Sequence, residues 1–177
     1  KPDGKGKLSK RDGDRLGFPV FPLQWVNSAG AVSRGYREDG YFPEAFVNLL
    51  AMLGWNPGND QEIFSLEELV AAFSLERVVK SGARFNADKA KWYNKEYLRT
   101  KSVEELASLY IPVLEEKGLQ IVDCPACALT AGSAMTVTGA DFENKIFSRQ
   151  YVERIVALIQ ERATFVADFW DIAPYLF

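Results

Sequence analysis

Six cations crowd the first fifteen residues of the chain: Lys1, Lys5, Lys7, Lys10, Arg11 and Arg15. Gly4, Gly6, Gly13 and Gly17 sit among or just after them, and glycine leaves a backbone free to move. At the centre lies Lys7-Leu8-Ser9-Lys10-Arg11. Two lysines three apart on such a backbone reach into a site and leave it again. Each ammonium is a compact point charge on a flexible stem, suited to phosphate oxygens. The same composition also describes a frayed, solvated basic terminus. No G-x-x-x-x-G-K-[ST] string is present, so the loop is not a Walker A motif.

A second basic island runs from Lys80 to Lys101, where Lys80, Arg84, Lys89, Lys91, Lys95, Arg99 and Lys101 alternate with Phe85, Trp92, Tyr93 and Tyr97. If residues 87–99 form one helix, Lys91, Lys95 and Arg99 share a face at i, i+4 and i+8. A basic edge with aromatic neighbours suits a phosphate backbone, with flat rings for a base or ribose. The bland alternative puts Trp92 and Leu98 in the core and leaves the lysines solvated. Net charge is −3. Residues 1–15 carry +3 and residues 80–101 carry +5, leaving −11 on the remainder. Two basic islands on an acidic body suggest localised polyanion contacts.

Other chemistry is narrowed by what the chain lacks. It has no histidine, so no Ser-His or Cys-His nucleophile system exists within it. The only cysteines are Cys124 and Cys127. One C-x-x-C without a third Cys or any His cannot complete a tetrahedral zinc site, and the expectation is two reduced thiols in a cytoplasmic protein, with no metal site. No run of eighteen apolar residues and no signal peptide are expected. The chain begins with Lys, which reads as a segment of a longer protein.

The elements that must position these groups are mainly helical. Residues 14–40 are irregular, with strand pieces or a structured loop, and the apolar content of 14–35 suggests a packed insertion. Pro43 fits a first helical position, and Ala45, Phe46, Val47, Leu49, Leu50, Met52 and Leu53 give a broad apolar face up to Gly54. Ser65 and Glu68 form a capping box, and a short helical piece follows at 75–79. Asn86 caps a helix to about Arg99. Ser102 and Glu105 form a second box, whose helix ends at Gly118 and carries Pro112, a potential kink. Residues 119–138 are ambiguous. Ser148 caps a helix with Tyr151, Val152, Ile155, Val156, Leu158 and Ile159 on its apolar face, followed by an aromatic segment from Phe165 to Trp170. The class is therefore mainly α, with minor β near the N-terminus.

Lys7-Leu8-Ser9-Lys10-Arg11 resembles the KMSKS signature of class I aminoacyl-tRNA synthetases, in the form usual in the glutamate and glutamine branch. Downstream, Gly-Tyr-Phe-Pro-Glu-Ala (40–45), Leu-Leu-Ala-Met-Leu-Gly-Trp (49–55), Glu-Ile-Phe-Ser-Leu-Glu-Glu-Leu (62–69), Leu-Glu-Arg-Val-Val-Lys-Ser (75–81), Phe85 to Lys89 and Trp92 to Arg99 are similar to bacterial glutamyl-tRNA synthetases, in the family's order. The likeness covers most of residues 7–105. Residues 106–177 resemble the family's helical anticodon-binding region only loosely.

The resemblance implies ATP-dependent attachment of glutamate to its tRNA, with Mg2+ in the whole enzyme. It makes Lys7 and Lys10 the catalytic candidates. Lys10, Ser9 and Arg11 become the ATP-binding candidates, Lys10 stabilising the charge that builds toward pyrophosphate. It implies a loop segment at 1–17, a helical stem-contact domain at 18–100 holding the 14–35 insertion, and the start of an anticodon-binding region at 101–177. Trp92, Asn94 and Arg99 match pattern positions of the tRNA-contacting part. Lys80, Arg84, Lys91 and Lys95 join them on electrostatic grounds. The partners implied are the tRNA for glutamate, ATP and glutamate, with no membrane and a monomeric whole enzyme. Two departures stand out: the long link at 14–35, and Lys95-Glu96 where Gly-His is often seen. The family also needs a HIGH signature on a nucleotide-binding fold, which a histidine-free chain does not contain. The expectation is that these residues alone hold no ATP stably and form no glutamyl-adenylate. A non-catalytic RNA-binding module and a helical protein-interaction module are the alternatives.

Overall fold

A computed structural model describes residues 6, 8, 9, 12, 15–123 and 146–177. Cys124, Cys127 and the ambiguous stretch from Ala128 to Thr138 lie outside the described residues. The chain divides into two compact units, Lys1–Tyr97 and Leu98–Phe177.

In the first unit a hairpin pairs β1 (Trp25–Val26) with β2 (Val32–Ser33), antiparallel, with Trp25 opposite Ser33. Its turn is organised by Asn27, whose Oδ1 accepts the N–H groups of Ala29 and Ala31 at 2.9 Å each. Asparagine commonly replaces a backbone acceptor in this way. Of the packed insertion expected at 14–35, the start packs, with the Phe18 ring 4.8 Å from that of Phe85 and Pro19 buried, while the hairpin does not. Leu23, Trp25, Val26 and Val32 all stand exposed, at 49–53%. The alternation that buries one strand face needs a second layer behind it, and two-residue strands offer too little width to be covered.

Helix α1 (Pro43–Gly54) starts with Pro at its first position, where no N–H is needed. Its buried face is narrower than the sequence suggests: Ala45, Asn48 and Leu49 are buried, while Val47 and Leu50 are exposed. Helix α2 (Leu66–Ala72) opens on the complete Ser65/Glu68 capping box. A single 3-10 turn follows at Leu75–Arg77. Trp55, Phe64 and Leu69 form a small core cluster with Ala51, Met52 and Ala72 packed on it.

Helix α3 (Ala87–Thr100) is capped by Asn86, whose Oδ1 accepts from the N–H groups of Asp88 at 2.9 Å and Lys89 at 3.2 Å. Two buried amides lock the unit. Asn94 Oδ1 accepts the Phe42 N–H at 2.8 Å, just ahead of α1. Asn48 Oδ1 accepts the Phe64 N–H at 2.8 Å, and its Nδ2 donates to the Glu62 carbonyl at 2.9 Å. The Tyr97 hydroxyl lies 2.7 Å from Asn48 Oδ1 and 2.5 Å from the Phe64 carbonyl, one proton serving two acceptors. Buried polar groups cost little only when satisfied like this.

The second unit packs helix α4 (Val103–Glu116) against helix α5 (Arg149–Ile159). Leu106, Ala107, Tyr110, Leu114, Val152, Ile155, Val156 and Phe169 are among its buried residues. Ser102 accepts the Glu105 N–H at 3.1 Å, but Glu105 turns its carboxylate to Lys101 Nζ, 2.5 Å away. The second box is thus half formed. Pro112 sits inside α4 without ending it. At the C-terminus Gly118 (φ 85°) donates to Glu115 and Leu119 donates to Leu114, the two bonds of a Schellman ending. Ser148 caps α5 through the Tyr151 N–H, and Leu158, expected on its apolar face, is 73% exposed. A parallel pair that sequence reading did not anticipate joins β3 (Gln120–Val122) to β4 (Ile146–Ser148). Three-residue strands carry too little alternation to be seen in sequence. Helix α6 (Asp168–Ile172) completes a mainly α chain.

Candidate functional site

The basic loop is organised by an acid. Ser9 donates to Asp12 Oδ2 twice, from its main-chain N–H at 2.8 Å and from its hydroxyl at 2.6 Å. Asp12 returns its own N–H to the Ser9 carbonyl at 3.0 Å. Arg15 Nη2 pairs with Asp12 Oδ1 at 2.9 Å, and Asp12 itself is only 5% exposed. Donors that converge on a carboxylate in this way are the chemistry an anion needs. Lys7, Lys10 and Arg11 lie outside the described residues. Sequence reading missed Asp12, although the Ser-x-x-Asp spacing of Ser9 and Asp12 is one carbon short of a capping box. Beside Ser9, Leu8 lines an apolar hollow of about 500 Å³ with Tyr36, Phe46, Leu50, Leu53 and Phe85.

Of the second island, Lys80 and Arg84 are exposed on the segment that leads into α3. Lys91 and Arg99 are exposed and Lys95 half-buried, at the i, i+4 and i+8 positions of the helix. Arg99 Nε meets Glu161 Oε2 at 2.6 Å. Trp92 is 38% exposed and packs edge-on against the Tyr93 ring, with centroids 5.0 Å apart. It borders the cationic stripe rather than filling the core. Tyr93 takes the core position, and burial, then the nearby Glu62 carboxylate, pushes its hydroxyl up to about 12.

Asn94, matched to the tRNA-contacting pattern, has no exposed surface in this structure, and its Oδ1 accepts the Phe42 N–H, so it holds the start of α1 to α3. Lys89, left out of the binding candidates, lies 2.5 Å from Glu62 Oε1 and 5.7 Å over the Tyr93 ring. With Arg84, Asn86 and Tyr93 it lines a smaller hollow of about 270 Å³.

The family model for the catalytic domain of class I tRNA synthetases (E and Q) matches residues 4–92. The chain belongs to that family. Among curated relatives of this class I synthetase segment, the glutamate–tRNA ligase of Parabacteroides distasonis is 47% identical over 178 residues and that of Flavobacterium johnsoniae 50% over 177. Each alignment covers all of this chain and 30% of the relative. The crystal structure of the glutamate-tRNA synthetase of Elizabethkingia anophelis superposes with a TM-score of 0.80 at 43% identity, covering 99% of this chain and 30% of that one. A glutamate tRNA ligase from Elizabethkingia meningosepticum, crystallised in complex with its amino acid, gives 0.79 at 43% identity, with 98% and 30% covered. The segment thus spans about 30% of the length of the relatives it matches. No described helix of the synthetase segment is long and apolar enough to cross a membrane.

Proposed function

We propose that this chain is the part of a cytoplasmic, monomeric glutamate–tRNA ligase that supplies the KMSKS loop and a set of tRNA-contacting helices. The observation that carries the reading is the family match over residues 4–92, together with 43–50% identity to ligases named for glutamate across the whole chain. Residues 1–17 form the loop segment, 18–100 the stem-contact domain and 101–177 the start of the anticodon-binding region.

In the whole enzyme, ATP and glutamate combine as glutamyl-adenylate with loss of pyrophosphate, and the 3′ end of the tRNA then takes the glutamyl group. Bound ATP, with its Mg2+, supplies the activated phosphate. The chain's own part is electrostatic. Lys10 stabilises the charge that builds toward pyrophosphate, and Lys7 and Arg11 shape the loop and add positive charge. Such groups accelerate a step only when they act more strongly in the transition state than before it. Lys80, Arg84, Lys91, Lys95 and Arg99 meet tRNA phosphates, with Trp92 beside them as a flat apolar partner. Phosphate contacts of this kind fix orientation and carry no sequence information.

Lys10→Ala in the full-length ligase is expected to lower glutamate-dependent ATP–pyrophosphate exchange far more than tRNA affinity. Equal losses in both would sink the role assigned to Lys10. The 177 residues alone are expected to form no glutamyl-adenylate, because the HIGH half of the ATP site needs histidine and none is present.

A further inference from the structure

The Ser9 hydroxyl has one proton, and that proton is committed. It goes to Asp12 Oδ2 at 2.6 Å, and the Ser9 main-chain N–H goes to the same oxygen at 2.8 Å. What the hydroxyl still offers outward is lone pairs, and these repel a phosphate oxygen. Asp12 is bound on its other side by Arg15 at 2.9 Å. An acid only 5% exposed that takes these donors from Ser9 and Arg15 is gripped more tightly than one in water, because low surrounding polarity strengthens each bond.

We propose that Asp12 is a positioning residue for the ATP loop, acting through Ser9, and that Ser9 itself donates no hydrogen bond to ATP. The proposal rests on the reading of the chain as a ligase segment. The carboxylate sits three residues after Ser9 and takes its N–H, as the acid of a capping box does. It therefore sets the backbone turn at Ser9, from which Lys10 directly follows. Arg15 offsets the negative charge that Asp12 brings into a cationic loop. The attraction for phosphate is then left to the lysines, and the geometry of the turn to the Ser9–Asp12 pair. A serine that touched phosphate would act independently of Asp12; a serine that serves as the handle for Asp12 would not.

That difference is measurable in the full-length ligase by a double-mutant cycle on glutamate-dependent ATP–pyrophosphate exchange. Asp12→Ala is expected to raise the KM for ATP about fivefold, the equivalent of a lost helix cap. Ser9→Ala is expected to raise it by no more than that, and the double variant by no more than Asp12→Ala alone. The KM for glutamate and the affinity for tRNA stay at their wild-type values. Asp12→Glu, which makes the commoner Ser-x-x-Glu box, restores the KM for ATP. Losses that multiply in the double variant, or an Asp12→Ala enzyme with the wild-type KM, overturn the proposal. Hydrogen exchange of the peptide spanning residues 6–16 gives a readout that does not depend on activity. Exchange at Ser9 quickens in Asp12→Ala if the proposal holds, and unchanged exchange overturns it. A wild-type ligase that lacks exchange of pyrophosphate but shows the Asp12 effect on the amide removes the functional reading and leaves the positioning intact.

Discussion

At the scale of single residues, the chain separates groups that hold the fold from groups that face outward, and Asn94 lies on the structural side. Asn94→Ala leaves the buried Phe42 N–H without its acceptor. That costs about 1–3 kcal/mol, read as a lower midpoint in urea unfolding, with tRNA affinity of the folded protein unchanged. A nucleic-acid role would instead weaken tRNA binding and spare the midpoint. The buried tyrosines set an alkaline limit. Burial, ahead of neighbouring carboxylates, raises Tyr41, Tyr93 and Tyr110 from 10.0 to about 12. Between those values the unfolded chain gives up protons that the folded chain keeps, so stability is fully present below pH 10 and falls as pH rises toward 12. Thermal unfolding across that window, followed beside phenolate absorbance, checks it; a midpoint flat from pH 9 to 12 contradicts it. Much of this scale was open to sequence reading. Lys91, Lys95 and Arg99 could be placed on one helix face from spacing alone, and they lie there, whereas spacing left Trp92 open between that edge and the core. Asn94 could not be assigned, because its partner is fifty-two residues away and sequence spacing carries no information about that distance.

Elements declare themselves where the signal is local. Pro43, Ser65, Asn86, Ser102 and Ser148 each mark a helix start that the structure reproduces, since a cap needs only its own first turn. The strands β3 and β4 stay hidden because what makes them strands is each other. Two glycines test the backbone in different ways. A Cβ at Gly118 meets nothing within 4 Å, and its φ is 85°, so Gly118→Ala bears only the left-handed backbone penalty, roughly 1–2 kcal/mol. A Cβ at Gly35 falls 2.3 Å from the Gln24 nitrogen, the Leu23 carbonyl carbon and Glu38 Oε2. Backbone cannot give way as a side chain does, so Gly35→Ala is expected to cost more than Gly118→Ala and to open the base of the hairpin. Urea unfolding of both variants orders the two; a Gly35→Ala protein as stable as Gly118→Ala contradicts the close approach.

For the whole molecule, the question is how an acidic chain of net charge −3 attracts a polyanion. The proposed answer is that the attraction is confined to two stretches, and salt reports it. In the full-length ligase, Lys91→Gln or Lys80→Gln is expected to weaken tRNA binding and to lower the slope of log affinity against log salt by about one each. Affinity that ignores salt favours the protein-interaction alternative. The same molecule must also choose one packing among many that bury similar apolar area. Leucines on α1 could slide by a turn against α3 at modest cost, because dispersion is indifferent to which methyl meets which. Asn48 and Asn94 are not indifferent. Each has partners at one setting only, and a slipped helix would strand an amide and the backbone groups it serves in a dry interior. Their contribution is therefore selective rather than adhesive: they act as alignment keys, ruling out near-miss arrangements of the helices that carry the lysine edge.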